Sequence, residues 1–133
     1  MVKMDITDIR YADATFDVIY CSHVLEHVSD DRQAMRELYR VLKPGGWAIL
    51  QVPISADATF EDAMVTSPEA REALFGQDDH VRRYGPDYCD RLAAAGFSVS
   101  VDGFVRKMSP RAIERFGLDR SEDVYYCTKP TGE

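Results

Sequence analysis

At 133 residues the chain has the length of one domain, enough to remove about 68% of its unfolded surface from water. Sixteen basic against 23 acidic side chains leave a formal charge of −7, which argues against a nucleic acid as partner, and 45% hydrophobic content is that of a globular protein. No run approaches the ~18 apolar residues of a membrane span and no signal-peptide pattern opens the chain, so the cytoplasm is expected, with Cys21, Cys89 and Cys127 as reduced thiols.

Met1 to Asp5 is apolar enough to be the tail of a strand that ends at Asp5. Phe16 to Cys21 is a short β-branched and aromatic run between polar residues, the pattern of a strand buried on both faces of a parallel sheet. Ser29 then stands as a helix cap, with Asp30 and Asp31 in a first turn whose free N–H groups favour oxygen and negative charge. Met35, Leu38, Tyr39 and Leu42 recur at helical spacing while Arg32, Arg36, Glu37 and Arg40 take the wet side, which predicts a helix over Asp30 to Leu42. Lys43, Pro44, Gly45 and Gly46 stop it. Trp47 to Val52 returns as a second strand, and a crossover of this length makes the pair parallel and right-handed.

From Ile54 to Tyr84 the hydrophobic period weakens, and this stretch is expected as an excursion at the carboxyl ends of the strands. Ser67-Pro68 opens a short helix within it that Gly76 ends, and Gln77 to Tyr84 forms a connector. Pro86 to Ala95 is a further helix with Gly96 just past its end. Phe97, Val99 and Val101 alternate with Ser98 and Ser100 as a half-exposed strand. Ser109-Pro110 begins a helical turn that Gly117 stops, Val124 to Cys127 is a last strand, and Thr128 to Glu133 is a polar tail. Neither a repeat nor a linker divides the chain, so an α/β fold in a single domain over 1–133 is expected.

In combination, FDVIYCS from Phe16, HVLEHV from His23 and LKPGG from Leu42 resemble the class I S-adenosylmethionine-dependent methyltransferases, in particular the type 11 group. Neither PGG nor FDVI alone would carry that resemblance. It implies a Rossmann-like methyltransferase sheet in which the strand at Val124 runs antiparallel beside Trp47 to Val52 and forms a C-terminal antiparallel hairpin with the strand at Phe97. The group's glycine-rich loop would lie upstream of Asp5, so an N-terminally truncated, partial domain is expected. In the group's strand order, 3-2-1-4-5-7-6, that leaves the Phe16 strand at an open edge, to be covered by a second copy in a homodimer or by a complementing N-terminal half. By itself such a chain should bind the cofactor weakly.

The resemblance implies S-adenosylmethionine as cofactor and methyl transfer to a small-molecule acceptor as the reaction. It places Asp5 on the adenine amine, Ile6 beside the adenine ring, and Cys21, Ser22 and His23 along the methionine end, outside the carboxyl end of a strand where open sheets bind ligands. A carboxylate accepts and an exocyclic amine donates, which suits Asp5; a solvated turn between Asp5 and Asp8 explains the same residue. His23 and His27 stand four apart with Glu26 between them, and two imidazoles with a carboxylate form a known zinc or iron ligand set. The order is not HExxH and the segment precedes a helix cap, so no metal is expected. His27 is chemically suited to take the acceptor's proton near neutrality; alternatively Glu26 and His27 fix the loop by hydrogen bonds to backbone. His80 is the second proton acceptor, in a connector shared with Arg82 that either closes over the acceptor or is a solvated loop with local salt bridges. The competing function is a non-catalytic, degenerate methyltransferase fold that binds a partner; a dehydrogenase lacks its glycine fingerprint here.

Overall fold

The computed structural model describes residues 4–102, 109–116 and 123–131. Strand β1 (Phe16–Ser22) leads through a 3-10 turn at Leu25–His27 into helix α1 (Asp31–Val41), and β2 (Leu42–Gln51) returns parallel to β1. The cap of α1 is Asp30, not Ser29: its side chain accepts from the Gln33 backbone N–H at 3.1 Å. Either residue type can cap, and a carboxylate also complements the positive helix end, so local chemistry left the choice open by one position.

The role expected of Lys43 to Gly46 is also corrected. The helix already ends at Val41, where Leu42 turns extended and pairs with Phe16; the next pair is Val18 with Trp47, so Lys43 to Gly46 bulge out of the strand. Gly45 supplies a φ of 81° for that bulge. Gly46 sits so tightly that a Cβ there would lie 2.8 Å from the carbonyl oxygens of Asp17 and Lys43.

In the excursion, β3 (Phe60–Glu61) and β4 (Arg82–Arg83) form a small antiparallel ribbon. Helix α2 (Pro68–Phe75) lies between them, capped by Ser67, whose hydroxyl accepts from Ala70 N–H at 3.2 Å, and ended by Gly76 at a φ of 96°. Helix α3 (Tyr88–Ala95) starts two residues later than Pro86 suggests, because Pro86 and Asp87 belong to the preceding turn. Strand β5 (Ser98–Asp102) and β6 (Val124–Thr128) pair antiparallel, and β6 inserts beside β2, giving the order β1-β2-β6-β5. Helix α4 (Pro110–Phe116) is capped by Ser109, which accepts from Ala112 N–H at 3.2 Å; the Gly117 stop lies outside the described residues.

Side chains alternate across a pleated strand, so the register divides the sheet into two faces. Ala48, Leu50, Tyr125, Cys127 and Val99 share the face that joins Ala34, Met35 and Leu38 of α1 and Tyr88 and Leu92 of α3 in the core. Full burial of Met35, Leu38, Leu50 or Leu92 contributes about 1.5–3 kcal/mol each. The opposite face carries Val18, Tyr20, Trp47 and Tyr126, all more than a third exposed. Among the described residues β1 pairs only with β2. The expectation that Phe16 to Cys21 is buried on both faces is therefore corrected, since Val18 and Tyr20 are exposed, whereas the open edge expected of this strand is where the described residues place it.

Candidate functional site

Of the strand tail expected at Met1 to Asp5, residues 1–3 lie outside the described residues; from Asp5 onward the segment before β1 is tied to α1. Asp5 and Asp8 close a tight turn, with Asp8 N–H donating to the Asp5 carbonyl at 2.9 Å. Ile9 N–H donates to Glu37 Oε2 at 2.8 Å, and Arg40 reaches the carbonyls of Ile9 at 2.6 Å and Tyr11 at 2.8 Å. Between this segment, β1 and α1 runs an open trough of about 560 Å³ whose walls include Ile6, Phe16, Ile19, Cys21, Ser22 and Val24.

Ile6, Cys21 and Ser22 thus meet in one trough, as the sequence reading groups them. Asp5 and His23 are not among its walls. The Asp5 carboxylate accepts from the Thr7 hydroxyl at 2.6 Å and from Thr7 N–H at 2.9 Å, which holds its pKa below the usual carboxylate range. His23 is exposed and adopts a φ of 57°, a turn that lifts the chain off the sheet while its N–H donates to the Gln51 carbonyl at 2.9 Å. Burial pushes the Cys21 thiol up to about 11, with the Glu26 charge adding to it, so Cys21 is a neutral wall and not a nucleophile near pH 7.

Just beyond Val24 a second group of side chains converges. Rings of His27 and His80 meet edge to face, with centroids 4.6 Å apart. His27 Nε2 lies 3.4 Å from Glu26 Oε1, and its Nδ1 lies 3.2 Å from the Asp79 carbonyl. His80 is buried, its Nδ1 3.2 Å from the Phe75 carbonyl. Glu26 is 2% exposed, and its Oε2 has no hydrogen-bond partner. The ring that meets His27 edge to face is therefore that of His80, from the connector.

The connector from Gln77 to Tyr84 is solvated only at its start, where Gln77, Asp78 and Asp79 are exposed. His80, Arg82 and Tyr84 are buried, and Val81 N–H donates to the Glu26 carbonyl at 2.9 Å. Arg82 lines a second cavity of about 450 Å³, together with Asp31, Glu61 and Arg71, but its guanidinium is already engaged. Its guanidinium donates to the carbonyls of Leu25 and Val28 at 2.6 Å each, to Ser29 at 2.8 Å, and to Glu61 at 2.8 Å. Asp31 sits behind it, accepting from the Tyr84 hydroxyl at 2.6 Å and from Arg91 at 2.8 Å. Charge density around QDDHVRRY pointed to salt bridges, but nothing local marked Arg82 as the clamp on the Glu26–His27 turn.

Compared with known proteins, residues 1–50 match the family described as methyltransferase domain. Methyltransferase GfsG of Streptomyces halstedii is 30% identical over 136 residues, an alignment that covers 98% of this chain and 40% of that protein. In structure, the (4+2)-cyclase SpnF superposes at a TM-score of 0.62 and 20% identity over 97% of this chain and 56% of its own. The 1,6-didemethyltoxoflavin-N1-methyltransferase of Burkholderia thailandensis, solved with 1,6-didemethyltoxoflavin and S-adenosylhomocysteine, gives 0.60 at 18% identity, over 97% of this chain and 50% of its own. The chain thus spans 40% to 56% of the length of these relatives, and the two structural likenesses speak for the fold alone.

Proposed function

We propose that this chain, whose residues 1–50 match the methyltransferase domain family, is one partial domain of an enzyme that moves a methyl group from S-adenosylmethionine to an O, N or C nucleophile on a small molecule. The trough that runs along β1 from Phe16 to Ser22 carries the reading. Its apolar wall at Ile6 and Phe16 fits a purine ring, and the Asp5 carboxylate, next in the chain, keeps Oδ2 to accept from the adenine amine while Oδ1 serves Thr7. Backbone at Cys21, Ser22 and His23 then borders the methionine end. S-adenosylmethionine supplies a methyl group on a sulfonium, so the residues of this chain need only hold nucleophile and methyl in line and exclude water. His27 and His80, beyond Val24, are the groups proposed to take the acceptor's proton.

The formal charge of −7 suits a cationic cofactor and not a nucleic-acid substrate. No helix among the described residues is long and apolar enough to cross a membrane, and a cytoplasmic location is part of the proposal. Exposure of Val18 and Tyr20 on an edge strand supports a partner there, a second copy or a complementing N-terminal half. A second reading, a non-catalytic binding module of the same fold, draws its support from Asp5, whose carboxylate already has a partner in Thr7.

Calorimetric titration with S-adenosylmethionine separates the two. Expected is millimolar binding by this chain alone, tightening when a complementing first half is supplied and weakening at least tenfold, or about 1.4 kcal/mol, in Ile6→Asp. Micromolar binding by the monomer would overturn the shared-site part of the proposal. Absence of binding in both arrangements would overturn the cofactor assignment and leave the binding module.

A further inference from the structure

We propose that Glu26, His27 and His80 form a binding site for one divalent transition-metal ion. One carboxylate oxygen and one ring nitrogen from each imidazole all lie within 4.8 Å of one another. Glu26 Oε1 and His27 Nε2 are 3.4 Å apart, close to the spacing of two ligands that each stand about 2.0–2.1 Å from a tetrahedral ion. The third ligand, His80, has a ring nitrogen within 4.8 Å of both, and the set closes when that nitrogen moves inward to the same spacing.

Both imidazoles are already oriented for this role. A carbonyl oxygen can only accept, so the contact of His80 Nδ1 with Phe75 places its proton on Nδ1 and leaves the lone pair on Nε2, while the contact of His27 Nδ1 with Asp79 turns that ring so that Nε2 faces Glu26. Metal-bound imidazoles are held in the same way, with the second nitrogen donating to a carbonyl or carboxylate.

A separate observation concerns the carboxylate. Glu26 is almost fully buried and its Oε2 lacks any hydrogen-bond partner, although buried polar atoms are nearly always satisfied. A cation held by both oxygens of the Glu26 carboxylate supplies the missing partner. The scaffold is stiff as well, since Arg82 clamps the carbonyls of Leu25 and Val28 on either side of Glu26 and His27. His27 is about a third exposed at its side chain, which leaves an open side for a further ligand.

Two nitrogens with one oxygen select zinc, cobalt, nickel or iron over magnesium, a hard ion that keeps oxygen ligands and water. The site stands on its own geometry and not on the methyl-transfer reading. A cation on the two Nε2 atoms would in fact remove them as proton acceptors.

The test is a titration of the chelator-treated 133-residue chain with cobalt(II), followed by visible d–d absorption and calorimetry, with zinc as competitor. We expect one saturable equivalent that zinc displaces, weakened at least about tenfold in both Glu26→Gln and His80→Ala. Circular dichroism checks that each variant is folded; if His80→Ala is not, His27→Ala, at a half-buried position, takes its place. Absence of saturable cobalt binding, or binding unchanged in the folded variants, would overturn the proposal. So would magnesium binding as tightly as cobalt, or a cobalt site lost in His23→Ala and kept in His80→Ala.

Discussion

Arg82 shows how much one side chain can decide. Its guanidinium is 1% exposed and satisfies three backbone carbonyls and the Glu61 carboxylate, with Asp31 3.7 Å away. Arg82→Met would strand those carbonyls and leave Asp31 and Glu61 short of a partner, so its unfolding free energy in urea should fall by about 3–5 kcal/mol. Arg82→Lys should recover little of that, because an ammonium cannot present the planar fork that reaches several acceptors at once. An acceptor-binding Arg82 would instead leave stability unchanged. Glu37 offers a pH test: hydrogen bonds from the Arg40 side chain hold its carboxyl below the usual range, and a bond from the Ile9 N–H adds to this. A carboxyl lowered in the folded state stabilises above its unfolded pKa of ~4.3, and that contribution is lost as pH falls through the folded value. Thermal midpoints measured from pH 7 to pH 3 should therefore drop less steeply at the acid end in Glu37→Gln.

Among the elements, α1 and the bulge that follows it carry separate tests. Because Asp30 and not Ser29 accepts from Gln33 N–H, Asp30→Ala should destabilise by about 1 kcal/mol while Ser29→Ala should cost far less. Equal effects in chemical denaturation would show that the cap is shared. At Gly46 the obstacle is backbone, two carbonyl oxygens 2.8 Å from the position of a Cβ, and backbone cannot swing aside as a side chain would. Gly46→Ala should cost about 1–3 kcal/mol, the usual range for overpacking, with the β1–β2 pairing displaced in the process.

For the whole molecule, the sheet is covered by helices on one face while Val18, Tyr20, Trp47 and Tyr126 stay exposed on the other, next to an edge strand. Apolar edges of this kind template association with another chain. Light scattering should accordingly report a mass that rises with concentration, and Val18→Lys with Tyr20→Lys should lower it toward the monomer. Both positions are about half exposed, so unfolding free energy should shift by only about 0.5 kcal/mol per change. A mass that ignores both substitutions would place the association elsewhere.

What the sequence determined by itself were features that act over a few residues. The β-branched run at Phe16, the 3.6-residue period from Met35 to Tyr39, the proline and glycine signals around Pro68 and Gly76, and the alternation from Ser98 to Val101 each map onto an observed element, because backbone sterics and side-chain periodicity are local. His27 and His80 were each legible as polar groups near the strand ends. Their meeting with Glu26 was not, and neither was the burial of Arg82. Those depend on the β3–β4 ribbon bringing the connector back across the Leu25–His27 turn, so that His27 contacts Asp79 at a separation of 52 positions and Arg82 contacts Leu25 at 57. Periodicity says which face of an element is buried but not which distant carbonyl or imidazole waits on the other side, and that pairing is set only when the core closes.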